Sequence, residues 1–108
     1  MEKSFNGQIY EKLSINGLII FGIHSLGSNG KKCTFERLVK KCFTLFPQVF
    51  SFAEYPELPD SRKLDRPLRT LRKRKLITGN PKTIFSLTKQ GRQLALEIAK
   101  SLSQKKLL

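Results

Sequence analysis

The chain's acids are Glu2, Glu11, Glu36, Glu54, Glu57, Asp60, Asp65 and Glu97. Glu54, Glu57 and Asp60 crowd one short stretch, and the run PDSRK at 59–63 has the Pro-Asp opening that a metal-dependent nuclease could use. That chemistry also needs an acid-x-Lys on a following strand. Glu97, with Lys100 three residues on, falls in a helical pattern instead. No Ser-His-Asp set and no phosphate-binding glycine loop is present. Catalysis is therefore not expected. Cys33 and Cys42 stand nine residues apart, which is neither the spacing of a zinc or redox pair nor a disulfide framework. They read as two reduced thiols in a cytoplasmic protein. His24 is the sole histidine and sits in an apolar run, where a packed or rim position is expected rather than a ligand. No cofactor, metal or small-molecule ligand is expected.

Cations are the chemistry this sequence does supply. Lys and Arg number 21 against 8 Asp and Glu, for a formal net charge of +13. A chain so basic is drawn to polyanions, and nucleic acid is the commonest of them. The charge is also concentrated. Between Asp60 and Arg92 lie eleven cations and two acids, so less than a third of the 108 residues carries +9 of the +13. Within it Arg62, Arg66, Arg69 and Lys73 fall on one side of a helical wheel, with Lys63 and Thr70 at its edge. Leu64, Leu68 and Leu71 occupy the other side. Arginine can bridge guanine O6 and N7, while lysine serves phosphates. The plain alternative is a solvated helix face whose last cations complement the helix dipole.

The elements that must hold this stripe follow from periodicity. At 108 residues one domain, 1–108, is expected. A first helix is expected at about 9–26, apolar on two stripes and so wrapped by the rest of the domain. Its apolar run, Leu18 to Phe21, is too short for a signal peptide and far short of a membrane span. A second helix is expected at about 34–46, capped by Thr34 and ended by Pro47. In residues 47–59 the run VFSF suggests a short strand. Phe50, Phe52 and Tyr55 are expected to pack under the helices, with a partner-binding lip as the alternative.

The basic helix is expected at about 60–75, capped by Asp60 and continuous but bent at Pro67. Strand, turn and strand follow at about 76–87, with Gly79-Asn80-Pro81-Lys82 in the turn. Thr88 caps a last helix at about 88–103, beyond which the chain is expected to fray. Leu94, Ile98 and Leu102 form its apolar stripe.

Two helices, a basic third helix, Leu76-Ile77, a short hairpin and Leu-Thr-x-x-Gly-Arg opening a helix: in this order the chain resembles the winged helix-turn-helix family. The matching segment is LDRPLRTLRKRKLITGNPKTIFSLTKQGRQLA, residues 64–95. The resemblance implies a mainly α fold with a small β-hairpin, built as a three-helix core, a wing and a C-terminal helix. It implies binding to double-stranded DNA in transcriptional regulation, with the third helix in the major groove and the wing on the backbone. The location implied is cytoplasmic, on the nucleoid in a prokaryote. Arg66 and Arg69 are expected nearest the base edges, with Arg62 and Thr70 beside them. Lys63, Arg72, Lys73, Arg74 and Lys75 complete the basic helix, its last cations on phosphates, and Asn80 and Lys82 stand at the wing tip. Asp65 is expected to pair with Arg69, one helical turn on. Two departures stand out, a connection at 47–59 longer than a plain helix-turn-helix needs and a proline within the third helix. Winged helices also serve as protein-contact modules, or as DNA-binding accessory domains of larger enzymes. The stripes of the first and last helices could pair two subunits, if the domain's own core does not consume them.

Overall fold

The structure is a computed structural model that describes residues 13–107, with side chains described as far as residue 103. It is mainly helical. In chain order the elements are α1 (Ile15–Ser28), α2 (Phe35–Leu45), α3 (Pro47–Phe50), α4 (Arg62–Lys73), β1 (Ile77–Thr78), β2 (Ser86–Leu87) and α5 (Lys89–Leu107). The two strands pair antiparallel, Ile77 opposite Leu87 and Thr78 opposite Ser86.

α1 is the axis of the core. It packs against α2, α4, α5 and β2, and Leu18, Ile19, Ile20, Ile23 and Leu26 are all buried. Apolar residues on two stripes need cover on most sides, and the other elements provide it. α2 crosses so closely that a Cβ on Gly22 would stand 2.9 Å from Cys42 Sγ. The helix starts later than the periodicity suggests. Ser14 is extended and its hydroxyl accepts the Gly17 N–H at 3.1 Å, so Leu13 and Ser14 lie outside the helix. Residues 9–12 of the expected helix lie outside the described residues. Thr34 caps α2 as expected, accepting the Arg37 N–H at 3.3 Å.

Pro47 ends α2 but immediately opens α3, a single helical turn, where the sequence suggested a strand. Proline at a first helical position has no amide to leave unpaired, which favours the restart. The segment that follows runs out and back, closed at its base by the Ser51–Pro59 bridge and by the Phe52 N–H on the Leu58 carbonyl at 3.1 Å. Its aromatics divide. Phe50 is buried in the core and Phe52 is half-buried, but Tyr55 is 57% and Leu58 48% exposed. Packing beneath the helices therefore holds for Phe50 and fails for Tyr55.

α4 runs unbroken through Pro67 and buries Leu64, Leu68 and Leu71. It stops in a full Schellman turn, with the Leu76 N–H on the Leu71 carbonyl and the Lys75 N–H on that of Arg72. Lys75 itself is left-handed at φ 61°, in the position where glycine is usual. Thr88 then gathers the next junction. Its hydroxyl donates to the Lys75 carbonyl at 2.7 Å and accepts the Gly91 N–H at 3.1 Å, while its own N–H reaches the Leu76 carbonyl at 3.1 Å. The strands are shorter than expected, because Phe85 turns its N–H at 2.9 Å to the Cys33 carbonyl ahead of α2 and buries its ring. α5 is assigned as helix to Leu107, beyond the expected end near residue 103. Ala95, Ile98 and Leu102 are buried in the same core as the α1 residues. Much of the two stripes that could pair subunits is used within one chain, with Leu13, Ile15 and Leu94 half-buried against that core and Ile9 outside the described residues.

Candidate nucleic-acid interface

The leucine stripe fixes which way α4 faces. With Leu64, Leu68 and Leu71 in the core, Arg62, Arg66, Arg69, Arg72, Lys73 and Arg74 are exposed, and Thr70 is half-buried. Arg72 extends from this face to the hairpin, Nη1 donating to the Gly79 carbonyl at 3.2 Å. Gly79 is left-handed at φ 104°, and a Cβ there would overlap the Ile84 carbonyl oxygen, so the turn closes tightly beside the helix. Between α4 and the turn lies a cleft of about 310 Å³ lined by Asp65, Arg69, Arg72 and Pro81 among others.

Not every expected contact residue is at liberty. Arg62 is held at the N-terminal end of α4. Its Nε and Nη2 donate to the Asp60 carboxylate at 3.1 and 3.3 Å, and its guanidinium lies 5.2 Å from the centre of the Phe52 ring. Asp60 is itself nearly inaccessible and also accepts the Arg62 N–H at 3.1 Å, but it does so from one residue before the cap position expected of it, which Ser61 occupies without a side-chain cap bond. The side-chain hydrogen bond from Arg62 holds the Asp60 carboxyl below the ordinary carboxylate range, against the opposing effect of burial.

Lys63 turns inward. Its ammonium donates to the carbonyls of Val49 at 2.9 Å and Ser51 at 2.8 Å, tying α4 to the end of α3. That corrects its expected place on the contact face, and no periodicity could have signalled a partner 12 to 14 residues upstream. Lys63→Ala would leave two partly buried carbonyls short of a donor. It is expected to cost about 1–2 kcal/mol in urea unfolding and to leave the salt dependence of any nucleic-acid binding unchanged. A salt slope flattened by a full unit would return Lys63 to the contact face.

Asn80 is also engaged. Its side-chain oxygen accepts the Lys82 N–H at 2.8 Å and its N–H donates to Thr83 Oγ1 at 3.0 Å, so it builds the turn. Arg69 meets Asp65 at 4.0 Å with both side chains about two-thirds exposed, a pairing too long and too wet to hold the arginine. Arg66, Lys73, Arg74, Lys75 and Lys82 have no side-chain partner among the described residues and are exposed. The arrangement is therefore a row of unengaged cations along α4, continued at the tip of a hairpin that Arg72 ties beside it.

Among the described residues no group of three or more His, Cys, Asp or Glu is placed to hold a metal ion. Both cysteines are buried, which pushes the Cys33 thiol up to about 12 and Cys42 higher still, with nearby Cys33 adding to the rise. Burial disfavours the reactive thiolate form at both positions. No described helix is long and apolar enough to cross a membrane. Compared with known proteins, the chain matches no family model, no curated protein and no solved structure.

Proposed function

We propose that this chain binds double-stranded DNA as a winged helix-turn-helix regulator, with α4 in the major groove and the hairpin as the wing on the adjoining backbone. The observation that carries the reading is the single outward row of unengaged cations on α4, set by the buried leucines and flanked by a hairpin fastened through Arg72. A helix of 12 residues is about 18 Å long, and a major groove about 12 Å wide admits one. Arg66 and Arg69 are the base-reading candidates. Lys73, Arg74, Lys75 and Lys82 are the phosphate-holding ones.

The test starts from duplexes selected out of a random pool. Arg66→Ala is expected to lose about 1–3 kcal/mol on the selected site and to blur preference at one position. Lys82→Ala is expected to weaken selected and scrambled duplexes alike. Equal losses for both variants on both duplexes would remove the reading role and leave a helix that only follows charge. The competing use as a protein-contact module draws on exposed Tyr55 and Leu58. Failure to bind any duplex at low salt would favour it.

A further inference from the structure

A second cationic feature involves different residues. A groove of about 430 Å³ opens where the end of α1, the loop before α2, β2 and the first turns of α5 meet. Its volume is in the range of sites that take small molecules. Half-buried Leu87 and Ile84, 42% exposed, give it apolar walls above buried Ile23 and Phe85, and half-buried His24 also lines it. Lys31, Lys32 and Arg92 line the same groove, all exposed and with no side-chain partner among the described residues. No carboxylate among the described residues lines it.

Cations that merely solubilise a surface are usually interspersed with acids. Three unpaired cations beside apolar surface are complementary to a ligand that joins an apolar body to an anionic group. We propose that this groove binds a small aromatic carboxylate, its ring against Ile84 and Leu87 and its carboxylate held by Lys31, Lys32 and Arg92. Arginine suits a carboxylate best, since its planar fork can donate two parallel hydrogen bonds. The ligand would lie against the strand that returns from the wing tip, where the Phe85 N–H meets the Cys33 carbonyl.

The test is a titration of the full chain with 1-naphthoate, followed by amide chemical shifts, with 1-naphthalenemethanol as the neutral comparator. The expected result is saturable shifts confined to residues 23–33 and 84–92, with naphthoate bound at least about tenfold more tightly than the alcohol. Arg92→Glu is expected to reduce naphthoate affinity about tenfold or more while leaving that for the alcohol nearly unchanged. If Arg92→Glu fails to fold, Lys31→Gln/Lys32→Gln serves the same comparison. Equal affinity for acid and alcohol, shifts scattered over the surface, or no saturation at millimolar naphthoate would each overturn the proposal. The titration contains no nucleic acid, so it and the DNA reading fail separately.

Discussion

Raising salt from about 50 to about 200 mM is expected to weaken binding to a random duplex by about 250- to 1000-fold. The estimate comes from counting side chains that are free to meet phosphates. Arg66, Arg69, Lys73, Arg74, Lys75 and Lys82 are exposed, and among the described residues the only partner any of them has is the loose Asp65 contact of Arg69. Arg62, Lys63 and Arg72 are engaged within the chain and are left out. Four to six phosphates neutralised give a slope of roughly −4 to −5 for log affinity against log salt. Fluorescence anisotropy with a labelled duplex measures it directly. A slope shallower than about −2 would mean that the α4 row does not lie along a phosphate backbone, and the protein-contact reading would then lead.

Gly91→Ala is expected to be the most damaging small substitution, costing about 3 kcal/mol and lowering Tm by about 10–20 °C. Gly91 is buried in the first turn of α5, and a Cβ there would overlap the Leu76 carbonyl oxygen. The obstacle is backbone on both sides, so no rotamer change can relieve it. Leu76 is moreover fixed where it stands. Its N–H closes the end of α4 and its carbonyl receives the Thr88 N–H. Gly27→Ala is the matching control, because nothing lies within 4 Å of a Cβ at that helical position. Removing a helical glycine there is expected to stabilise by about 0.5 kcal/mol. Thermal melts of the two variants should therefore move in opposite directions. A Gly91→Ala melt within a degree or two of the parent would mean that α5 does not start against Leu76.

The Gly91 contact also accounts physically for the Leu-Thr-x-x-Gly run. Thr88 accepts the Gly91 N–H, and Gly91 lets the helix start against the end of α4. Signals of this local kind were legible in the sequence. The caps Thr34 and Thr88, the leucines of α4 and the turn residues around Gly79 each act within one or two turns of chain, where spacing speaks for itself. What the sequence hid depends on distant partners. Lys63 looks like one more cation at the edge of a stripe until Val49 and Ser51 bring their carbonyls to it. Tyr55 and Phe50 have similar composition, yet one is exposed and the other buried, because the loop doubles back between them. The run VFSF carried no usable period, and short apolar runs of that length do not distinguish strand from helix. Of the candidate site, the direction of the charge was readable. Which cations are already engaged was not.

The packing of α1 against α5 has a consequence for the order in which the molecule can assemble. More than half of the chain's length separates the end of α1 from the start of α5. A ribosome delivers α1 early and α5 late, so Ile98 and Leu102 reach the Leu18–Ile23 face only near the end of synthesis. By contrast, α4, the hairpin and the first turn of α5 close on one another over about thirty residues, at a small cost in loop entropy. Maturation therefore runs back to front. The basic helix and its hairpin can take shape locally, while the oldest and most apolar helix waits longest for cover.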